Sequence, residues 1–284
     1  MSTGSQRLPQ FSISQVSTLT ASFADDVRTY AAGGADGIGI WELKLDDAAL
    51  DVFSGSGLGA ATAVPLVPSI LPLPLLEGPA DPRERIDALL GSLHRLAPFR
   101  PAAVLCFTGP GDRATAVAGL AEVAAEAERL GLRLALEPFQ REGLENWSVI
   151  STLGEAAEVL DEIGSPALGI QFDVWHLWNT PDLDDEIERH AHRFAGVHID
   201  DWRNPTRGWA DRVLPGDGIA DVPRILAALE RAGWDGYYDL EIFSDNGAFG
   251  SAYPDSLWDV EPAELVRRGR ESFTYCWEER RVAA

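Results

Sequence analysis

Residues 130–137, LGLRLALE, contain the unit that decides the fold of this chain: a helix end, a glycine, a short apolar run and an acidic residue. The same order returns at residues 163–173, IGSPALGIQFD, and at residues 232–241, AGWDGYYDLE. Glycine commonly follows a helix in the left-handed conformation, and a short apolar run between turn residues is typical of a buried strand. The repeated unit therefore predicts helices that alternate with buried parallel strands.

The alternation extends outward over nearly the whole chain. Eight apolar runs predict strands, at residues 11–16, 37–41, 61–66, 102–107, 133–136, 168–172, 196–199 and 237–242. Amphipathic stretches predict helices, including residues 25–32, 81–97, 114–130, 152–163, 183–193, 222–232 and 262–279. An open, doubly wound sheet is the alternative, but no glycine-rich phosphate-binding motif follows the first strand. We therefore predict an α/β fold, a single (β/α)8 TIM barrel.

The chain of 284 residues has the length of one such barrel, and no Ser-rich, Gly-rich or charged linker divides it. We predict a flexible N-terminal tail at residues 1–8 and a barrel domain at residues 9–284. The N-terminus lacks an export pattern, and no stretch reaches the roughly 20 apolar residues of a membrane helix. Cys106 and Cys276 imply no disulfide framework. A cytoplasmic protein without a membrane partner is expected.

The charge of the chain disfavours nucleic acid as a partner. It carries 45 acidic and 23 basic side chains, which give a formal net charge of -22. Such a surface repels phosphate backbones instead of releasing their counterions. A metal-dependent nuclease on the same barrel would require a basic groove, so this class of enzyme is disfavoured as well.

Ligand-type residues end four successive predicted strands: Glu137, Asp173, His198 and Glu241. Active sites of TIM barrels lie at these strand ends. Three carboxylates that meet there repel one another unless a cation lies between them. Oxygen donors with one nitrogen suit Mn²⁺, Mg²⁺ or Co²⁺, and Zn²⁺ is a further candidate. The alternative is that each acid caps a helix or forms an ion pair.

The sequence motifs around these four residues resemble those of one known group of barrels. The motifs are Glu137-Pro138-Phe139, Phe172-Asp173-Val174-Trp175-His176, Val197-His198-Ile199 and Leu240-Glu241-Ile242. They resemble the xylose isomerase-like TIM barrel superfamily, which includes ketose 3-epimerases, hydroxypyruvate isomerase, inosose isomerases and dehydratases. The resemblance extends from the second predicted strand to the last and is specific for the superfamily rather than for a substrate.

The resemblance implies roles for these residues. It makes Glu137, Asp173, His198 and Glu241 the ligands of a divalent metal, for which Mn²⁺ is the first choice. Glu137 and Glu241 are then the catalytic acids and bases that move a proton. His176, three residues after the aspartate, is implied as a catalytic residue that contacts a substrate oxygen.

The resemblance also implies substrate contacts in two loops. Arg203, in the loop after the His198 strand, is similar to a family arginine that binds substrate. Arg207 and Arg212 follow in the same loop, and we expect them to pair with its aspartates. Related epimerases often have a second glutamate six residues after the first ligand, where this chain has glycine. Glu142 or Glu145, on either side of that glycine, is the candidate replacement.

Tryptophan is frequent near the predicted strand-to-helix loops. Trp41, with Glu42 at the end of the second strand, and Trp147 are predicted to face the substrate, because sugars stack on indole rings. The alternative for each tryptophan is packing in the core or in a subunit contact.

These parts predict a metal-dependent sugar isomerase or epimerase. A metal that binds a carbonyl and the neighbouring hydroxyl stabilises the enediolate formed by proton loss. The alternatives are a lyase or dehydratase of a keto-polyol or 3-keto-glycoside on the same site, and a non-enzymatic sugar-binding protein. The expected partner is a small sugar or keto-polyol, and the resemblance implies a homodimer or homotetramer.

Overall fold

The computed structural model describes residues 9–74, 78–140 and 147–280; the predicted tail at residues 1–8 lies outside them. Eight parallel strands form a closed barrel: β1 (Gln10–Ser14), β2 (Gly37–Trp41), β3 (Gly59–Val64), β4 (Ala103–Cys106), β5 (Leu134–Leu136), β6 (Leu168–Asp173), β7 (Phe194–Ile199) and β8 (Tyr237–Leu240). The barrel closes where β8 pairs with β1, with Ile13 opposite Leu240. The predicted α/β fold with a single (β/α)8 barrel is confirmed.

Helices surround the barrel: α1 (Phe23–Ala32), α2 (Ala49–Ser54), α3 (Pro82–Leu96), α4 (Arg113–Leu130), α5 (Leu153–Ile163), α6 (Val174–Leu177), α7 (Leu183–His190), α8 (Val222–Arg231) and α9 (Pro262–Glu279). The sequence did not predict the short helices α2 and α6. Gly131 and Gly164 follow α4 and α5 with φ of 69° and 68°, as the predicted left-handed caps require. No helix in the described ranges is both long and apolar enough to cross a membrane.

The apolar core lies between the strands and the helices. Leu89 and Leu93 of α3 and Leu120 and Val123 of α4 are fully buried against the outside of the barrel. Burial of each such side chain contributes about 1.5–3 kcal/mol relative to exposure. This layer holds the helices against the strands and leaves the two ends of the barrel free for other roles.

The inside of the barrel contains polar side chains, whereas TIM barrels commonly fill it with Val, Ile and Leu. A Cβ atom on Gly39 would lie 2.4 Å from the Oδ2 atom of Asp239, and one on Gly196 would lie 2.1 Å from Oε1 of Gln171. Side chains at these two positions would collide with the polar groups opposite them. The glycines therefore make room for Asp239 and Gln171 beneath the strand ends.

A small hairpin follows β7. Asp201 pairs with Val213, and Trp202 pairs with Arg212, in antiparallel register. The Asp201 carboxylate accepts hydrogen bonds from the backbone N–H groups of Gly216, Gly218 and Ala220, at 2.9, 3.0 and 2.9 Å. This hairpin carries Arg212 over the C-terminal mouth of the barrel.

Candidate active site

Side chains from the ends of the four adjacent strands β5 to β8 meet at the C-terminal mouth of the barrel. The Nδ1 atom of His198 lies 3.2 Å from Glu241 Oε2, 3.7 Å from Asp173 Oδ2 and 3.8 Å from Glu137 Oε1. Ligand atoms of Glu137, Asp173 and His198 all lie within 4.8 Å of one another. All four side chains are buried. We call these four residues the acid–histidine cluster.

The strand register explains why these residues meet. Asp173, the last residue of β6, lies opposite His198 of β7. Glu137 and Glu241 directly follow β5 and β8. Because the strands are parallel, their carboxyl ends point to one mouth, where ligand-type residues come together from distant parts of the chain.

Asp173 both caps a helix and belongs to the acid–histidine cluster, two roles that the sequence left as alternatives. Its Oδ1 atom accepts a hydrogen bond of 2.7 Å from the backbone N–H of Trp175 and so caps α6. Its Oδ2 atom faces His198 Nδ1. The capping interpretation therefore applies to one oxygen of this carboxylate, and the other oxygen belongs to the cluster.

Arg212 adds a positive charge to the cluster and was not among the predicted site residues. Its Nη1 atom lies 2.6 Å from Asp200 Oδ2, 2.9 Å from Asp173 Oδ2 and 3.1 Å from Glu241 Oε2. The sequence predicted that Arg212 pairs with aspartates of its own loop, and the contact with Asp200 confirms this. It did not predict contacts with the two cluster residues. The repulsion between the carboxylates is therefore offset in part by the protein itself.

Residues 210–214, ADRVL, show no regular alternation of polar and apolar residues, so no local pattern indicated a site role for Arg212. In the structure the segment is extended, so Arg212 and Leu214 face one way and Asp211 and Val213 the other. A two-residue strand is too short for a periodic pattern to show which face is turned toward the mouth of the barrel.

Ionisation in the cluster follows from burial and from the neighbouring charges. Burial, Asp173 and Glu241 raise the pKa of Glu137 well above its usual range. Burial also acts to raise the pKa of Asp173, but Arg212 and His198 outweigh it and hold that pKa below its usual range. Burial lowers the pKa of His198, yet the carboxylates, with Glu241 first, raise it well above its usual range. The cluster thus retains protons that a bound cation would displace.

His176 lies beside the cluster in an apolar setting. Its ring stacks on Phe139, with centroids 4.5 Å apart and planes 19° apart. Burial is the main cause that lowers the pKa of His176 to about 3, and Arg212 adds to it. The imidazole is therefore neutral at pH 7. Its Nδ1 atom is buried and has no hydrogen-bond partner in the described part of the chain.

Two residues predicted to contact substrate have other partners. Arg203 pairs with Asp211 at 2.9 Å and with Asp255 at 3.0 Å. Glu42 pairs with Arg95 and accepts a hydrogen bond of 2.8 Å from the backbone N–H of Leu66. Neither Arg203 nor Glu42 lines the cleft above the cluster. Arg212, in the same loop as Arg203, is the arginine that reaches the cleft.

The predicted tryptophans do line this cleft. Trp41 and Trp147 belong to an aromatic belt that we define by the cleft-lining residues Trp41, Phe107, Phe139, Trp147, Trp209 and Phe243. The cleft contains about 510 Å³ of space, including the solvent at its mouth, and Glu137, His176, Arg212 and Glu241 also line it. Glu142, also predicted to contact substrate, and its alternative Glu145 lie outside the described residues.

Asp239 lies behind the cluster, on the inner side of the barrel. Its Oδ2 atom is 3.9 Å from the Nε2 atom of His198, the ring nitrogen turned away from the carboxylates of the cluster. Both side chains are buried. A histidine that binds metal through one ring nitrogen commonly has a carboxylate beside the other, which orients the ring. Sequence analysis missed Asp239, because a polar residue one position before the end of a strand gives no sign of facing a particular histidine.

The fold and the site define a class of protein: a closed (β/α)8 barrel in which a buried acid–histidine cluster opens to an aromatic cleft. The sequence profile of one family, described as xylose isomerase-like TIM barrel, matches residues 74–276 of this chain. This chain belongs to the xylose isomerase-like TIM barrel family. The matched range includes all four residues of the cluster.

Relatives of known activity are sugar epimerases and isomerases. The D-psicose 3-epimerase of Enterocloster bolteae is 28% identical over 172 residues, which cover 58% of this chain and 53% of the relative. The inosose isomerase of Halalkalibacterium halodurans is 25% identical over 128 residues, which cover 44% of each protein. The chain thus spans about half the length of the curated relatives that it matches.

Solved structures share the fold over almost the full chain. A crystal structure described as the IOLI protein with a binding zinc atom superposes with a TM-score of 0.77 at 18% identity. The superposition covers 95% of this chain and 98% of that one. A likeness at this level of identity shows the common fold.

Proposed function

We propose that this protein is a divalent-metal-dependent isomerase or epimerase that moves a proton at the carbon beside the carbonyl of a sugar-like substrate. The observation that carries the proposal is the acid–histidine cluster, buried at the barrel mouth and open to the cleft. The sugar epimerases and isomerases among its relatives support the same reaction class.

The donor set of the cluster fits a divalent cation. Glu137, Asp173, His198 and Glu241 would hold it, and the Oε1 atom of Glu137 is buried with no hydrogen-bond partner among the described residues. A buried carboxylate oxygen without a partner is costly, and a cation would satisfy it. Oxygen ligands with one imidazole favour Mn²⁺, with Mg²⁺, Co²⁺ and Zn²⁺ as alternatives. A bound divalent ion supplies Lewis-acid stabilisation of an enediolate.

The proton is moved by the glutamates in this proposal. Glu137 and Glu241 follow strands that are three places apart in the barrel, so they border the cleft from different sides. One removes the proton from the substrate carbon, and the other returns it.

Two further side chains position the substrate. His176 is neutral, so its free Nδ1 atom offers a hydrogen bond to a substrate oxygen without adding charge. Arg212 lines the cleft beside the cluster, so its positive charge would stabilise negative charge that develops on a substrate oxygen. Both groups stabilise the enediolate from positions that the folded chain fixes in advance.

Solvent deuterium incorporation tests the proposal. Metal-depleted protein is reloaded with Mn²⁺ and incubated with a panel of ketoses and inososes in deuterated water, and the products are followed by NMR. We expect deuterium at one carbon next to the carbonyl and a new epimer or isomer. Loss of water from the substrate would instead identify a lyase. Tight sugar binding without exchange, by protein that contains no metal, would identify a sugar-binding protein and contradict the proposal.

A further inference from the structure

Arg212 contacts two of the oxygen atoms that would hold a metal ion. Its Nη1 atom lies 2.9 Å from Asp173 Oδ2 and 3.1 Å from Glu241 Oε2. The same two oxygen atoms lie 3.7 and 3.2 Å from His198 Nδ1. A cation bound by these three ligand atoms would therefore be a close neighbour of the guanidinium group.

The guanidinium of Arg212 is fixed in this position. The side chain is buried, and its guanidinium carbon lies over the rings of Trp175 and Phe243, at 5.1 and 4.8 Å from their centroids. Asp200, which directly follows β7 and is also buried, places its Oδ2 atom 2.6 Å from Nη1. These contacts hold the positive charge beside the cluster and away from solvent.

The charge of Arg212 is also permanent. Burial acts to lower the pKa of Arg212, but the three carboxylates that it contacts outweigh burial and raise that pKa further above its usual range. Charges interact more strongly in a buried site than in water, and salt screens them less. An adjacent arginine commonly lowers the proton affinity of a carboxylate about 10–1000-fold, and the same charge opposes a metal ion.

We infer that Arg212 sets the affinity of the metal centre: it acts as a built-in counter-cation that weakens the binding of a divalent ion by Asp173 and Glu241. The inference rests on the proposed function, which requires the ion. The contacts that stabilise the carboxylates in the metal-free protein thus lower the affinity of the same carboxylates for metal. Thermodynamic linkage makes the effect reciprocal, so a bound ion must reduce the stabilisation that Arg212 provides by the same factor.

Metal titration of charge-changing variants tests the inference. Chelator-treated wild-type protein, Arg212→Met and Arg212→Lys are titrated with Mn²⁺ by calorimetry after circular dichroism confirms that each is folded. We expect Arg212→Met to bind Mn²⁺ at least about tenfold more tightly than wild type, because it lacks the charge. Arg212→Lys retains the charge, and we expect its affinity to stay within about threefold of wild type. Unchanged or weaker binding by Arg212→Met, or equal tightening in both variants, would overturn the inference.

Arg207→Met is the matched control for the position of the charge. Arg207 lies in the same loop and pairs with Asp211 and Asp255, neither of which belongs to the cluster. We expect its replacement to leave the affinity for Mn²⁺ unchanged. Tightening equal to that of Arg212→Met would show that the net charge of the protein, and not the position of Arg212, sets the affinity.

Urea unfolding measures the reciprocal effect and also serves if Arg212→Met is too unstable for titration without metal. The loss of stability caused by Arg212→Met is measured with chelator and again with the same saturating Mn²⁺ concentration for both proteins. We expect the loss to be smaller with Mn²⁺ by at least about 1.4 kcal/mol, the equivalent of a tenfold difference in affinity. Equal losses under the two conditions would contradict the inference.

The wild-type titration separates the inference from the proposed function. Binding of Mn²⁺ with equal affinity by wild type and Arg212→Met would overturn the inference and leave the proposed function intact. Binding by Arg212→Met alone would support the inference and contradict the proposed function, because the native protein would then lack its metal. Absence of divalent-ion binding by both proteins would refute the proposed function and the inference with it.

Discussion

The two halves of the barrel contribute differently to one cleft. Strands β5 to β8 end in the acid–histidine cluster, whereas β2 and β3 end in Trp41 and Val64, and Phe107 follows β4. The scaffold is the same around the whole barrel, since each strand leads into a loop at the same mouth. The difference shows that the chemistry is concentrated in one half, whereas the cleft-lining residues that follow or end β2 to β4 are apolar; the loops after β5, β7 and β8 add further aromatic rings to the cleft.

The largest expected effect lies in the charged half. Glu137→Gln and Glu241→Gln retain the shape of each side chain but remove its ability to carry a proton. We expect each variant to lower kcat by about 10³–10⁴-fold, the usual upper range for a general acid or base. The rate of deuterium exchange measures this loss. Glu271→Gln, on the exposed face of α9, is the control, and near-normal rates in the cluster variants would contradict the assigned roles.

The next effect concerns stability in the same half. Arg212→Met leaves Asp173, Asp200 and Glu241 without their shared cation. Removing one partner of buried ion pairs costs about 3–5 kcal/mol, so we expect the free energy of unfolding without metal to fall by that amount. Urea unfolding in the presence of a chelator measures it.

Arg207→Met is the matched control for Arg212→Met. Arg207 lies in the same loop but is partly exposed, and it pairs with the buried Asp211 and the exposed Asp255. Asp211 also has Arg203 as a partner, which remains when Arg207 is replaced. We expect a loss of about 1 kcal/mol or less. Equal losses in the two arginine variants would mean that Arg212 has no special role in neutralising the cluster.

A smaller effect, on metal affinity, is expected from Asp239, which lies behind the cluster. Asp239→Asn keeps the shape of the side chain and removes the charge that faces His198 Nε2. Loss of such an orienting partner typically weakens metal affinity about 10–100-fold. Titration of the metal-free variant with Mn²⁺ measures this change. An unchanged dissociation constant would restrict Asp239 to a packing role in the barrel.

The smallest effect is expected in the apolar half. Trp41→Phe keeps an aromatic ring in the belt and removes an indole N–H group that has no partner among the described residues. We expect KM for an exchanging keto-sugar to rise by about tenfold or less, since one hydrogen bond is worth about 1 kcal/mol, and kcat to change little. A fall in kcat comparable to that of Glu137→Gln would mean that Trp41 contributes to the chemical step and not only to substrate binding.

Much of the barrel follows from local sequence. The apolar runs and the glycines after α4 and α5 predicted all eight strands, because a buried strand and a left-handed cap depend on nearby residues. Strand ends also predicted where Glu137 and Glu241 lie. The third strand begins and ends two residues earlier than predicted, at Gly59–Val64, because its pairing with β2 sets its limits.

Other parts of the site depend on contacts between distant residues. Glu42 directly follows β2, yet it pairs with Arg95, which is 53 positions further along the chain. The position of Arg212 depends on a hairpin whose two strands have two residues each. Strands this short have too few residues for a periodic pattern to predict which face a side chain occupies. Local pattern therefore predicts which residues reach the mouth of the barrel, and long-range pairing decides which of them face the cleft.

Metal binding by the purified protein tests the central claim most directly. Chelator-treated protein is titrated with Mn²⁺ by calorimetry, beside an Asp173→Asn, His198→Gln double variant whose fold is checked by circular dichroism. We predict one Mn²⁺ ion per wild-type chain and an affinity at least 100-fold lower in the folded variant. Failure of the wild-type protein to bind any divalent ion stoichiometrically, or equal binding by both proteins, would contradict the account.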